Sequence, residues 1–509
     1  MAEDWDVVVV GAGTSGCVVA ARLADAGRRV LLLEAGADHA GPEDFPPELR
    51  DASTMAAAVP GHPATWSLSG RLTDDRTVPV VRGRVVGGSS AVNAGSFIRA
   101  TRADLDGWAA AGNDLWSYDR VLPAFRRSEA DRDFGDRPHH GATGPIPVGR
   151  PRAEHPLATA FAAASGELGF PDEPDKNADG PAGYGPVPLN VADGVRVNTA
   201  MAYLSPRRDA PGLTVRGGVQ VSRVVVERGR AVGVATDAGV VRAAEVVLSA
   251  GAVGSPHLLL LSGIGPADDL RTAGIAVVAD VPGVGTDFTD HPHVYVRYRP
   301  ARALPVPAGG LPLHGVLHVP SDVPSRPGGL ELLPWLRPFS RITGGPVDPD
   351  RDELVVGVGL QGEDSRGRLT LGADPERSPV LEYRYLAEDS DRRRLRAGVR
   401  LAVALLGTSA LRPFVGERAG PPDDVLASDA ALDRWVRASL TTAIHLCGTA
   451  RMGSEDDGGA VVDQLLRVRG VTGLRVVDTS VLPTAPSRGP AATAVMLGER
   501  AAELMVADR

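Results

Sequence analysis

The chain has 509 residues, too many for one hydrophobic core, so two or more lobes are expected. It is 43% hydrophobic and 23% charged, the balance of a soluble globular protein. A formal net charge of -9 argues against a nucleic-acid backbone as the main partner, and with Lys176 the only lysine, nearly all positive charge is arginine.

The chain opens on acidic residues, Glu3 and Asp4, with no basic region, long apolar run or cleavage site. No stretch approaches the roughly 18 to 20 apolar residues of a membrane helix. Its two cysteines, Cys17 and Cys447, cannot build a disulfide framework and neither lies in a CxxC pair. These features predict a cytoplasmic protein without a transmembrane segment.

Val7 to Val10 is a run of β-branched residues, the pattern of a buried parallel strand. It leads into Gly11-Ala12-Gly13-Thr14-Ser15-Gly16, an alanine-rich helical stretch to about Ala26, and a second apolar strand, Val30 to Leu33, that ends at Glu34. Gly11 permits the tight turn, Gly13 lets the backbone approach a pyrophosphate, and Gly16 lets helix and strand pack closely. The helix N-terminus offers free N–H groups to the phosphates. Glu34, 18 residues after Gly16, is placed to bind ribose hydroxyls and disfavours a 2′-phosphate. A lone GxGxxG is weak; with strand, helix and terminal acid all present it predicts a dinucleotide site, FAD or NAD.

Further along come Gly83-Arg84-Val85-Val86-Gly87-Gly88-Ser89-Ser90-Ala91-Val92-Asn93 and Gly251-Ala252-Val253-Gly254-Ser255-Pro256-His257. Gly283-Val284-Gly285 with Asp290-His291-Pro292, and Ser365-Arg366-Gly367-Arg368, follow. Near the end lie His445-Leu446-Cys447-Gly448-Thr449-Ala450-Arg451-Met452-Gly453 and Leu474-Arg475-Val476-Val477-Asp478. Taken together and in this order, these segments resemble the glucose-methanol-choline (GMC) oxidoreductases from end to end.

The resemblance implies an α/β fold: a Rossmann-type FAD-binding domain interleaved with a substrate domain of antiparallel sheet plus helices. The FAD domain would collect residues 1–150, 213–292 and 432–509, and the substrate domain 151–212 and 293–431. FAD contacts are implied at Thr14 and Ser15, at Arg84, Gly87, Gly88, Ser89, Asn93, Ala94 and Gly95, and at Val221, Ala250, Gly251, Asp478, Ala491 and Ala492. Where some relatives attach the flavin through a histidine this chain has Val92, so FAD is expected to be held non-covalently.

For the chemistry, hydride transfer from a carbinol carbon to flavin N5 needs a base for the hydroxyl proton, and histidine suits that role near neutrality. His445 matches the family's catalytic histidine. The family's second polar position, a histidine or asparagine, aligns here with Ala491, which has no hydrogen-bonding side chain; Arg488 or Thr493 could substitute. His291 reads as structural, near the domain junction, His139 and His140 as loop residues, and His293, His314 and His318 as members of the substrate domain. No His/Cys/Asp/Glu cluster has metal-ligand spacing in the sequence, so no metal is expected.

The run Pro486-Ser487-Arg488-Gly489-Pro490-Ala491-Ala492-Thr493-Ala494 resembles a GMC subgroup linked to the mycofactocin system. This implies that the donor is a reduced peptide-derived redox cofactor, with electrons passed towards respiration. An ordinary small-molecule alcohol such as choline is the alternative, with quinone, respiratory carrier or oxygen as acceptor. Two readings of other classes stand beside these: a hydroxynitrile-type lyase that keeps FAD as scaffolding, and a non-enzymatic flavin-binding protein.

Overall fold

Val7 to Val10 are buried on both faces because their strand lies inside a parallel sheet. The computed structural model describes residues 5–152, 155–302, 304, 310–322, 328–344, 352–374 and 378–508. Glu3, Asp4 and parts of the Pro- and Gly-rich stretch 300–350 lie outside them.

Strand β1 (Trp5–Val10) turns into helix α1 (Thr14–Asp25), and the chain returns through Gly27 into β2 (Val30–Leu33). β2 pairs in parallel with β1 on one side and with β3 (Leu213–Arg216) on the other. The chain then runs through β4 (Val221–Glu227), β5 (Arg230–Thr236) and β6 (Gly239–Leu248) as an antiparallel meander. The far half of β6 joins β1 in parallel, so one long strand ties the meander to the parallel core. Helix α2 (Gly251–Leu261) follows, and β7 (Leu474–Val476) completes the seven-stranded sheet by pairing with β6. This sheet therefore gathers residues from the start, middle and end of the chain.

The last helix, α3 (Ala491–Ala507), packs along α1. A Cβ on Gly498 would lie 2.7 Å from Val18 Cβ, so the two helices touch closely. Across that contact the Ser15 hydroxyl donates to the Ala494 carbonyl at 2.7 Å. Arg22 grips the Glu499 carboxylate, which also accepts from Tyr203.

A second seven-stranded sheet is built from Tyr184–Pro186 and from strands between Pro292 and Thr442, all antiparallel in their pairings. Helix Asp389–Leu406 lays Leu395, Val399, Ala402 and Leu406 inward and packs on strand Leu354–Leu360, the core of this half. A four-stranded sheet bridges the halves, since Thr65–Thr73 pairs with both Arg76–Gly83 and Val380–Glu382. Among the described residues, no helix is long and apolar enough to cross a membrane.

Candidate active site

Two neighbouring regions meet at the C-terminal edge of the parallel sheet: a glycine-lined cradle and a histidine cluster. The cradle begins where β1 ends. Gly11 adopts φ +96, and a Cβ there would lie 2.5 Å from the Ser249 carbonyl oxygen. A Cβ on Gly16 would lie 2.0 Å from the Gly11 oxygen, so these two glycines are demanded by the protein's own packing. Gly13 is different: its Cβ would meet only the Ser249 oxygen, at 3.7 Å, an ordinary contact. Nothing in the protein requires a glycine at 13, but a ligand lying against that backbone would.

Glu34 closes the cradle. Its Oε2 accepts from the Ala12 N–H at 2.9 Å and its Oε1 from the Gly36 N–H at 2.8 Å, while burial pushes its pKa up to about 7. Each oxygen keeps a lone pair for a further donor. Arg84 stacks 4.5 Å over the Trp66 ring, and its buried Nε has no partner among the described residues. The Gly87 N–H donates to the Ala12 carbonyl at 2.7 Å, which brings the segment of Gly87, Gly88 and Ser89 onto the first loop.

Thr14, Ser90, Asn93, Asn190, Thr199 and Ala491 line one small cavity, so residues from four distant stretches converge there. Asn93 Oδ1 accepts from the Gly95 N–H, and the Gly95 carbonyl in turn accepts from the Asn190 N–H, while Asn190 Oδ1 is buried without a partner. Ala94 is half-buried against the apolar cluster of Ile98, Leu189 and Trp335, and Ala492 is fully buried inside α3. Val221 opens β4 at the sheet edge opposite Thr236.

At the start of α2, Asp478 Oδ2 accepts from the Gly251 N–H and the Ser255 hydroxyl, and Oδ1 from the Ser480 N–H; Ala250 donates its N–H to Ser255. Two sequence-predicted contacts thus have their side chains engaged elsewhere. The Ser15 hydroxyl proton is given to Ala494, and the Asp478 carboxylate holds the start of α2 through Gly251 and Ser255 as well as its own loop through Ser480. An exposed helix N-terminus, an unrequired glycine, an anchored carboxylate and orphaned polar atoms at Arg84 and Asn190 together fit a dinucleotide such as FAD.

The histidine cluster is built by Asp290. Its Oδ1 accepts from the backbone N–H of both His291 and His445, each at 2.7 Å, and its Oδ2 from the Thr442 hydroxyl at 2.7 Å. One carboxylate thus aligns two chain segments. The residue before His445, Ile444, has φ +62, strained for a β-branched side chain; the Arg82 guanidinium on its carbonyl and the Thr442 hydroxyl on its N–H hold it there.

The result is a ring pair, with His291 and His445 Nδ1 atoms 2.9 Å apart and rings nearly perpendicular at 86°. Burial, then the nearby Arg82 and His293, hold the His445 pKa down at about 3. Burial also keeps His291 well below the usual histidine range and His293 at about 4. All three imidazoles are therefore neutral near pH 7.

The other edge of His445 faces Gly489, where a Cβ would lie 3.6 Å from Nε2 and 3.5 Å from Cε1. Ala491, aligned in the sequence with the family's second polar position, lies two residues further on. Pro490 caps α3, so Ala491 is already its first helical residue and turns to the small cavity, whereas Gly489 lies in the turn against the base. The suggested substitutes are occupied elsewhere. The Thr493 hydroxyl accepts from the Ala100 N–H at 3.0 Å, and Arg488 reaches Glu173 at 3.3 Å.

His291, read from the sequence as structural, is the direct neighbour of His445. The two lie 154 positions apart, so spacing along the chain gave no sign of the contact. His293 packs edge-on to Tyr295, and His318 is buried against Glu331 at 3.1 Å. A cavity of 560 Å³ opens on the far side of Arg488, between Arg99, Arg102, Tyr118 and Lys176, but it does not include His445, so the chemistry belongs to the His445 face.

The structure also shows a cluster that sequence spacing hid. Glu129, Asp131 and His140 bring ligand-type atoms within 4.8 Å of one another. Protein groups already engage them: His140 Nδ1 meets Glu129 and Asp131, its Nε2 meets Asp175, and Arg99 and Arg150 cap Glu129 and Asp131, while Glu129 Oε2 is left without a hydrogen-bond partner among the described residues. Burial opposes protonation of His140, yet its bonds to Asp131, Asp175 and Glu129 hold its pKa up at about 10. The ion pairs among these groups form a buried network.

Comparison with known proteins agrees with this geometry. Family models described as GMC oxidoreductase match residues 5–293 and 363–498. The chain is 42% identical, across 100% of its length and 99% of the relative's, to an uncharacterized GMC-type oxidoreductase in the thcA 5′ region of Rhodococcus erythropolis. It is 34% identical, over 100% of its length and 94% of the other, to an oxygen-dependent choline dehydrogenase of Photobacterium profundum. The structure of pyridoxine 4-oxidase from Mesorbium loti superposes with a TM-score of 0.89 at 30% identity, covering 98% of this chain and 99% of that one.

Proposed function

Since the chain belongs to the GMC oxidoreductase family, we propose that it oxidises a small-molecule alcohol with His445 as the base. It is an oxidoreductase acting on CH–OH donors, and FAD is its cofactor. Bound FAD supplies the acceptor for the two electrons that leave the carbinol carbon as hydride. The cradle of Gly11, Gly13, Gly16 and Glu34 would hold its ADP half, and the segment from Gly87 to Gly95, with Ala491, its flavin end. Val92 offers no nucleophile, so the cofactor is held without a covalent bond.

The observation behind this is His445 itself: a neutral imidazole, fixed through its N–H by Asp290, with an unobstructed Nε2 edge facing a side-chain-free position. The Nε2 lone pair takes the hydroxyl proton as the carbon gives up its hydride, leaving a carbonyl product and an imidazolium. Choline and pyridoxine, substrates in the names of relatives, indicate a compact polar alcohol as donor. The run from Pro486 to Ala494 favours a narrower donor, reduced mycofactocin, whose strong reducing power makes a second base at the active site dispensable. The buried free cysteines Cys17 and Cys447 are in keeping with a cytoplasmic setting.

Anaerobic mixing of the FAD-loaded protein with choline, pyridoxine, aryl alcohols and reduced mycofactocin, timed by loss of flavin absorbance, tests the proposal. His445→Ala should slow reduction by the active donor by about 10²- to 10⁴-fold with FAD content unchanged. A flavin that no donor bleaches would overturn the redox reading and favour the lyase. Bleaching by reduced mycofactocin alone would select the narrower donor. Reoxidation by oxygen or by a quinone would then separate oxidase from dehydrogenase.

A further inference from the structure

The contact between His291 and His445 is chemically specific. Two imidazole nitrogens 2.9 Å apart share one proton, because one must donate and the other accept. Both rings are held in place from the backbone, since Asp290 accepts from both N–H groups, so their approach does not depend on where the proton sits. Because the Nδ1 atoms face each other, each Nε2 points outward. That of His445 faces Gly489; that of His291 is buried, near the Pro486 backbone carbonyl but outside good hydrogen-bond geometry.

Two tautomeric arrangements are therefore open to the pair. If His291 carries the Nδ1 proton, His445 accepts it and bears its own proton on Nε2, the wrong form for a base. If His445 carries the Nδ1 proton, its Nε2 presents a lone pair toward Gly489.

We propose that His291 is a positioning residue that selects the second arrangement, accepting the Nδ1 proton of His445 and so making His445 Nε2 the base. This rests on the reading of His445 as the base. When Nε2 takes the hydroxyl proton, His445 becomes an imidazolium whose Nδ1–H stays bonded to the His291 Nδ1 lone pair. His291 gains and loses no proton over the step, and the hydride passes to FAD as in the main reaction. The groups around the pair leave this role to His291. Asp290 reaches the two residues through their backbone N–H groups, Arg82 is a cation held on the Ile444 carbonyl, and His293 is a neutral ring. The support that a second residue on the substrate side would give is absent at Gly489, so the base is held from behind.

The test is the imidazole ¹⁵N spectrum of the FAD-loaded protein labelled in histidine, with the His445 signals identified by their loss in His445→Gln. A resting His445 protonated at Nδ1 and bare at Nε2 supports the proposal; the opposite tautomer overturns it. In His291→Leu the His445 signals should move towards the Nε2–H form, and in His291→Asn, whose Oδ1 replaces the Nδ1 acceptor, they should return. Flavin reduction should follow, with kcat down about 10- to 100-fold in His291→Leu at little change in KM, and largely recovered in His291→Asn. An unchanged tautomer in His291→Leu would also overturn it. The wild-type spectrum decides even if the leucine variant does not fold. The underlying reading fails separately, if His445→Gln reduces its flavin as fast as the wild type.

Discussion

A Cβ on Gly489 would rest 3.6 Å from His445 Nε2, so the residue facing the base has no side chain with which to crowd or assist it. The backbone there does not need glycine, because Gly489 is not among the residues with positive φ. Gly489→Ala should therefore fold, with stability within ~1 kcal/mol of the wild type. Its methyl group would occupy the space beside Nε2. We expect kcat/KM to fall about tenfold for branched or secondary alcohols and less for small primary ones. Equal losses for all donors would mean that the substrate does not use this space.

The cradle separates two kinds of glycine. Gly16→Ala forces a Cβ to within 2.0 Å of the Gly11 oxygen, so the FAD-free fold should lose about 3 kcal/mol or more. Gly13→Ala meets only an ordinary contact at 3.7 Å, so the FAD-free protein should keep its stability while FAD affinity drops. Denaturation of both variants without FAD, beside FAD titration, gives the comparison. Similar behaviour in the two would show that Gly13, too, serves packing.

Acid should affect activity and stability differently. With its pKa near 3, His445 stays neutral in the fold, so flavin reduction should stay level from pH 8 to about pH 5 rather than fade through the ordinary histidine range near 6.5. Stability has another sign. His445 and His293, the latter near 4, are depressed below their unfolded value, so the unfolded chain binds more protons as pH falls. Their share of stability is present above about 6.5 and is lost between there and pH 4 to 3. His140, near 10, does the reverse: its contribution is full below about 6.5 and is lost as pH rises through 10. Thermal melts across pH 4 to 10 should fall away at both ends.

The His140 network ties three carboxylates together inside the fold. His140→Ala would leave Glu129, Asp131 and Asp175 each one partner short in a buried setting, at a cost of about 3 to 5 kcal/mol in chemical denaturation. Chelation of the wild-type protein should change neither its melting temperature nor its flavin reduction. A drop in either would mean that a cation occupies the cluster.

What the amino-acid order determined by itself was whatever is written in one short stretch. The run from Val7 to Glu34 forms a strand, glycine turn, helix, strand and terminal acid whose contacts lie within about thirty residues, so periodicity and spacing were enough to read it. The helix Asp389–Leu406 is local in the same way, its buried Leu395, Val399, Ala402 and Leu406 recurring at helical spacing. His445 was legible only through its surrounding motif. The tertiary structure alone decided which groups surround it. Asp290 and His291 reach His445 across some 150 residues of chain, Gly489 comes to face it just before Pro490 caps the last helix, and His140 meets three carboxylates from two segments. Spacing along the chain carries no information about such meetings. They are fixed by sheet pairing and helix packing, which bring side chains together through the burial of other residues.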